Sequence, residues 1–322
     1  MTPESSERLR RNGGGGSLPA IMTTMLTLLA LAITADSYVG RWNVKITDAT
    51  DTFVSGGFQI DKKDGVLQAS LVWRWGSYLP AKSVALKDGG LYIVREERRG
   101  QLDGFQLRLE GETLKGQVHL ADDTIQHFEG KRAPSLESKR APAWGAPVTL
   151  FDGKTLGGWK LRDAKKKNGW AAQNGELAVV ETKDNADLVT EKTFQDMKLH
   201  LEFNVDAKSN SGVYLRGRYE IQILDNPDAK MALDSHACAA LYSRVGPKLD
   251  ATKPAGEWQT LDITFVGRKL EVVLNGKQVL DTVVEGITGG ALNPFEGEPG
   301  PLMLQGDHGK VRFRNVVVTP AK

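Results

Sequence analysis

Two short stretches of the chain gather side chains able to bind and move protons. The first, Asn210-Ser211-Gly212-Val213-Tyr214-Leu215-Arg216, is followed two residues later by Tyr219-Glu220-Ile221-Gln222-Ile223-Leu224-Asp225-Asn226. Alternation along a strand puts Glu220, Gln222 and Leu224 on one face and Tyr219, Ile221 and Ile223 on the other. If the second set packs into a core, the first presents a carboxylate and an amide to solvent. That surface suits the floor of a carbohydrate cleft, and it equally suits the solvation of an idle sheet face. The second stretch, Gly300-Pro301-Leu302-Met303-Leu304-Gln305-Gly306-Asp307-His308-Gly309, closes a strand with Gln305, Asp307 and His308 in a glycine-flanked turn. His308 is there either an acid/base group or metal ligand, or a turn residue bonding backbone carbonyls.

Other chemistry-bearing residues read more plainly. His119, His127 and His200 are expected at the surface or in packing, while His236 follows Asp234 in a loop. The single cysteine, Cys238, lies in the apolar run Ala237 to Leu241 and is expected to be a small buried hydrophobe. Trp159, Trp170 and Trp258 are either sugar-stacking faces or core, with Trp258 the first expected in the core. Trp73 and Trp75, two residues apart, are expected to share one strand face, as an aromatic platform or as packed core. No phosphate-loop, dinucleotide-fold, serine-elbow or H-E-x-x-H motif is present, which removes nucleotide chemistry and the common serine and zinc hydrolases.

The elements that position these residues are strands. From Gly40 to Gly130, runs of alternating apolar residues are separated by turns such as Asp64-Gly65, Asp88-Gly89-Gly90 and Asp103-Gly104. About eight strands fit, as a small antiparallel barrel or sandwich over residues 36–132. Residues 133–147 carry Pro134, Pro142 and Pro147 without apolar periodicity and read as a linker, leaving two domains free to shift unless an interface holds them. Residues 148–322 contain a dozen or so strands. Leu199, Leu201, Phe203 and Val205 alternate with polar residues, and Asn275-Gly276 marks a two-residue hairpin. Two stacked sheets in a jelly-roll sandwich follow, so the expected fold is all-β throughout.

Composition agrees and narrows the partners. The 322 residues include 35 Gly and 7 Trp, and 42 Lys+Arg balance 40 Asp+Glu to a formal charge of +2, which argues against nucleic acid as a partner. Arg8, Arg10 and Arg11 precede a charge-free stretch whose apolar centre runs from Met25 to Ala32, with cleavage candidates at Ala30-x-Ala32 and at Ala35. Residues 1–35 therefore read as a secretory signal, and the protein as exported to the periplasm, the cell surface or the medium, with no membrane span once the signal is removed. The rival reading, an uncleaved anchor from Leu18 to Ala35, is weakened by Pro19 and the threonines.

Taken together, Leu150-Phe151-Asp152-Gly153-Lys154-Thr155-Leu156-x-x-Trp159, the two stretches around Tyr214 and Glu220, Gly256-Glu257-Trp258, and Leu304 to Gly309 through Phe313-Arg314-Asn315 resemble the 3-keto-disaccharide hydrolase domain family. The motifs occur in the family's order across Val148 to Pro320; the first domain is outside the resemblance. It implies a concanavalin-like jelly roll acting on glycosides whose sugar carries a ketone at C3, by hydrolysis or by elimination and hydration. It also makes Glu220, Arg216 and His308 the catalytic candidates, with Asn210, Tyr214, Gln222, Gln305 and Asp307 as substrate contacts.

A physical argument runs alongside the resemblance. Retaining glycosidases place two carboxylates about 5–5.5 Å apart across the scissile bond. Here the strand face Glu220-x-Gln222-x-Leu224 carries one carboxylate, and Asp225 points the other way. A 3-keto sugar needs less, because its ketone acidifies the C2 proton: one base, one cation for the enolate and one proton donor suffice. Glu220 or His308 is the expected base, the other the proton donor, and Arg216 the cation. A divalent metal held by Glu220 and His308 is the alternative to Arg216, and no cofactor is otherwise required. Two competing classes share these residues, a non-catalytic carbohydrate-binding module and a cell-surface adhesion protein.

Overall fold

The computed structural model describes residues 33–97, 100–137, 141–226 and 233–322. The expected signal segment lies outside them as far as residue 32. Among the described residues one four-residue helix, α1 (Ala35–Tyr38), precedes an all-β chain, and no helix is long and apolar enough to cross a membrane.

Eight antiparallel strands close into a barrel in sequence order: β1 (Gly40–Ile46), β2 (Ser55–Lys63), β3 (Val66–Trp73), β4 (Trp75–Lys87), β5 (Gly90–Glu96), β6 (Leu102–Glu110), β7 (Thr113–His119) and β8 (Ile125–Arg132). The Asp64-Gly65 and Asp88-Gly89 pairs make the turns expected of them, all four residues having positive φ. Phe58, Trp73, Phe105 and Phe128 fill the interior, three of their pairs meeting edge to face at 5.1–5.6 Å. Tyr38 of α1 closes one end, fully buried, its hydroxyl donating to Gly89 O at 2.8 Å. Trp73 and Trp75 do not share a strand face. Arg74 takes φ +58 between them, ending β3 and starting β4, so Trp73 enters the barrel core while Trp75 is left 54% exposed.

The second domain is a two-sheet sandwich. One sheet has the order β10 (Trp159–Leu161), β13 (Leu188–Phe194), β20 (Gly300–Leu304), β15 (Asn210–Leu215), β16 (Tyr219–Leu224). The other runs β11 (Trp170–Gln173), β12 (Glu176–Val179), β21 (Val311–Pro320), β14 (Met197–Val205), β17 (Gln259–Val266), β18 (Lys269–Leu274), β19 (Lys277–Val283), with β9 (Val148–Thr149) paired to β21. Leu199, Leu201, Phe203 and Val205 of β14 face Val213, Leu215, Ile221 and Ile223 in the core between the sheets. Trp159 and Trp170 belong to that core. Trp258 does not: it precedes β17, is half-buried, and carries the Arg314 guanidinium 4.0 Å above its ring. Cys238 is buried, and burial pushes its thiol up to about 12, which fits the inert role expected of it.

An interface holds the barrel and the sandwich. Asn43 donates to Glu296 at 2.6 Å, Ser77 meets His236 at 3.0 Å, Ser243 Oγ accepts from Tyr78 N at 2.8 Å, and Gly290 N donates to Arg74 O at 2.9 Å. At its centre Gly289 lies so close to Gly76 that a Cβ there would stand 2.0 Å from Gly76 O, so only glycine lets the two backbones meet.

Candidate active site

Where the barrel meets the five-stranded sheet they enclose a cavity of about 880 Å³. Its floor is the β15–β16 hairpin, in which Tyr214 pairs with Glu220 and Gly212 with Gln222. Alternation sends Val213, Leu215, Tyr219, Ile221 and Ile223 into the sandwich core and leaves Asn210, Tyr214, Glu220 and Gln222 on the cavity side. Gly212 makes the space: a Cβ there would lie 2.3 Å from Glu220 Oε1. Pairing of β20 with β15 then brings in the following turn, where Gln305 N donates to Gly212 O and Ser211 Oγ donates to Gln305 O, setting Gln305, Asp307 and His308 on the rim.

The charges in this cavity are tuned in different directions. Glu220 is 3% exposed, and burial pushes its carboxyl up to about 8; the Tyr214 hydroxyl, donating at 2.8 Å, and the nearby His308 pull it down, while Asp187 and Asp307 push it up. With its amide nitrogen toward them, Gln222 reaches Ser211 O at 3.2 Å and Glu220 Oε1 at 3.3 Å. His308 Nδ1 lies 2.5 Å from Asp307 Oδ1, and that hydrogen bond holds the imidazole pKa above its ordinary value. Asp307 is lowered in turn: burial opposes this, but the His308 bond and charge outweigh it. Asp187, deep in the wall, is raised by burial against the pull of Arg162. Arg162 is itself 3% exposed; Nη1 donates to Gly290 O at 2.8 Å and to Asp187 at 3.4 Å, Nη2 donates to Thr52 O at 3.1 Å, and Nε has no hydrogen-bond partner.

Seven of the eight residues expected at a site line this cavity: Asn210, Tyr214, Glu220, Gln222, Gln305, Asp307 and His308. Glu220 and Gln222 are buried rather than solvent-facing, because the barrel and the β19–β20 connection close over the sheet. Arg216 does not join them. β15 ends at Leu215, and Arg216 takes φ +52, which turns its side chain away from the cavity. There it donates to Gln195 O at 2.6 Å, Gly267 O at 2.9 Å and Asp196 at 3.0 Å, with its guanidinium 4.0 Å over Phe265. The arginine that the sandwich itself brings to the cavity is Arg162, beside Arg74 and Arg95 from the barrel, and with Asp187 it was missed in the sequence because both sit just outside strands, where no period assigns a face. The one available signal was their position, Arg162 directly after β10 and Asp187 directly before β13. Among the described residues no three His, Cys, Asp or Glu side chains gather as a metal-binding set. His236, bonded to Asp234 and Ser77, works at the domain interface, and His200 pairs with Asp262 on the far sheet.

Residues 146–319 match the family of the 3-keto-alpha-glucoside-1,2-lyase-like domain. A curated 3-keto-disaccharide hydrolase from Bacteroides thetaiotaomicron is 24% identical over 172 residues, 43% of this chain and 59% of that protein, so the chain spans about three fifths of that relative's length. Two crystal structures from Parabacteroides distasonis ATCC 8503, of proteins assigned as glycosyl hydrolases, are also similar. One has a TM-score of 0.46 at 21% identity, covering 55% of this chain and 94% of its own; the other has 0.44 at 26%, covering 55% and 100%.

Proposed function

Since the chain belongs to the 3-keto-alpha-glucoside-1,2-lyase-like domain family, we propose that it cleaves the glycosidic bond of 3-keto-glycosides by elimination followed by addition of water. His308 Nε2 takes the C2 proton, whose electrons pass to the C3 carbonyl oxygen as an enolate beside Arg162. The enolate then collapses to a C1–C2 double bond as the C1–O bond breaks, and Glu220 gives its proton to the departing oxygen. Water adds at C1, losing a proton to Glu220, while His308 returns one to C2. Both groups regain their starting states, and the net change is hydrolysis.

One observation carries this reading: the cavity separates its two proton-carrying groups in the order the reaction needs. Burial keeps Glu220 protonated up to about pH 8, and Asp307 fixes the His308 tautomer through Nδ1, leaving Nε2 as the base once the imidazole is neutral. A simple binding module has no use for a carboxyl so placed. The same assignment gives a bell-shaped kcat/KM, its alkaline limb near pH 8 from Glu220 and its acid limb above the ordinary imidazole value from His308. The segment from Arg8 to Ala35 supports action after export.

The test is turnover of a 3-keto-disaccharide followed by NMR in D2O. Elimination and hydration place deuterium at C2 of the 3-keto product, whereas direct hydrolysis leaves C2 protonated. Glu220→Gln and His308→Ala are each expected to lower kcat by about 10²–10⁴-fold with the fold retained. Unchanged turnover in both variants removes the assignment, and no turnover by the unaltered protein removes the reading.

A further inference from the structure

The cavity is lined by two domains, of which only the sandwich lies within the family match at residues 146–319. More than half of the lining residues, between Phe53 and Asp122, come from the barrel. Foremost is Trp75, at the first position of β4 and 54% exposed, the most exposed of the aromatic residues that are not buried. An indole face left open in a cleft is a surface on which a ring can stack.

Trp75 is also held in place. The Arg74 guanidinium sits 4.2 Å over its ring and is itself paired with Asp51, and Phe53 meets the indole edge to face at 5.3 Å. Phe53 in turn carries the Arg162 guanidinium at 4.2 Å. Trp75 is therefore one aromatic ring removed from the cation assigned to the enolate, on the barrel side of it. The arginine in the wall beyond it is already taken up by carboxylates. Arg95 and Asp103, buried on the barrel side, pair at 2.6 Å, and Glu97 reaches Arg95 at 2.5 Å. With Arg95 facing two carboxylates and Arg74 paired to Asp51, this wall offers an anionic ligand no net attraction, while an indole face attracts a ring.

We propose that the barrel supplies the leaving-group subsite of this enzyme, with Trp75 as its stacking platform, and that the leaving group is an uncharged ring, either a second pyranose or an aryl group. This rests on the 3-keto-glycoside reading above. It gives the barrel a role in choosing the substrate rather than in the bond-breaking step.

The experiment compares kcat/KM for a 3-keto-disaccharide with that for methyl 3-keto-glucoside, which has no ring to stack. In Trp75→Ala the ratio of the two is expected to fall about tenfold, and Trp75→Phe to restore most of it. A ratio unchanged in Trp75→Ala overturns the proposal, since a general structural loss scales both substrates alike. If the unaltered protein turns over neither substrate, the functional reading fails, and the subsite is judged by titrating the full chain with phenyl glucoside and following the heat of binding by calorimetry. Binding lost in Trp75→Ala but kept in Val66→Ala, an exposed residue outside the cavity, sustains the subsite; equal binding in all three proteins overturns it.

Discussion

Inside the barrel, Phe58, Trp73, Phe105 and Phe128 pack ring against ring, and the indole N–H of Trp73 donates to Gln126 at 3.0 Å. On the cavity face of the sandwich, Tyr214, Glu220 and Gln222 are each 3% exposed, as closely buried as Trp73. Burial is equal; what is buried differs. None of the four rings at the centre of the barrel titrates, and their one polar atom, the Trp73 indole N–H, has its partner. The sheet face instead holds a carboxyl raised to about 8, an imidazole leaning on Asp307, and unpartnered atoms at Arg162 Nε and Gln305 Oε1. A self-satisfied interior contributes stability, whereas an incompletely satisfied one is a place for a ligand to complete. The two domains divide the work accordingly, the barrel lending its rim to the cavity, with Trp73 the one buried residue of its aromatic core that reaches the lining.

Substitutions in each region should therefore separate stability from turnover. The largest effect on stability is expected from Phe58→Ala, which removes a ring in contact with Trp73, Phe105 and Phe128. A loss of about 3–5 kcal/mol in denaturant unfolding is expected, with kcat of the folded protein retained because Phe58 does not line the cavity. A fall in kcat comparable to that of Glu220→Gln would show that the barrel core is coupled to the chemistry and would end the division drawn here.

Arg216 tests the same boundary from the sandwich side. Its three acceptors and its place over Phe265 make it a clamp between the β13–β14 turn and the β17–β18 turn. Arg216→Ala should cost about 3 kcal/mol, read by thermal or denaturant unfolding, since the buried Gly267 carbonyl and the part-buried Gln195 carbonyl lose their donor. The pH profile of kcat/KM should not move. A lost alkaline or acid limb would return Arg216 to the catalytic group.

Arg216 also shows where the sequence stops being legible. The fold could be read because its signals are local: alternation in β14 to β16, and Asp64-Gly65, Asp88-Gly89 and Asn275-Gly276 at turns that need positive φ. Alternation put Glu220 and Gln222 on the face that lines the cavity, while Asn210 and Tyr214, which the resemblance supplied, share that lining. Arg216 lies one residue past the end of β15, where a left-handed backbone cancels the period. Arg74 does the same between Trp73 and Trp75, sending two tryptophans to opposite fates. Arg162, Asp187 and the whole barrel wall depend on how two domains dock, through contacts such as Gly289 against Gly76 that no local pattern records.

The smallest effect expected is a slope. Glu220 binds its proton up to about pH 8 in the folded chain but only to an ordinary carboxyl value when unfolded. Between those values the native state holds one proton more than the unfolded state, so stability falls as pH rises, by about 1.4 kcal/mol per pH unit from this group. The contribution is complete below the unfolded carboxyl value and gone above about pH 8. His308 acts in the same direction, because Asp307 raises its pKa too. Glu220→Gln removes the first contribution and leaves the second, so unfolding free energies measured at pH 6 and pH 7 should fall less in the variant than in the unaltered protein. Parallel lines would mean that Glu220 is ionised in the folded protein at neutral pH. The buried carboxylate would then be held charged by Tyr214 and His308, and Glu220 would lose its place as proton donor.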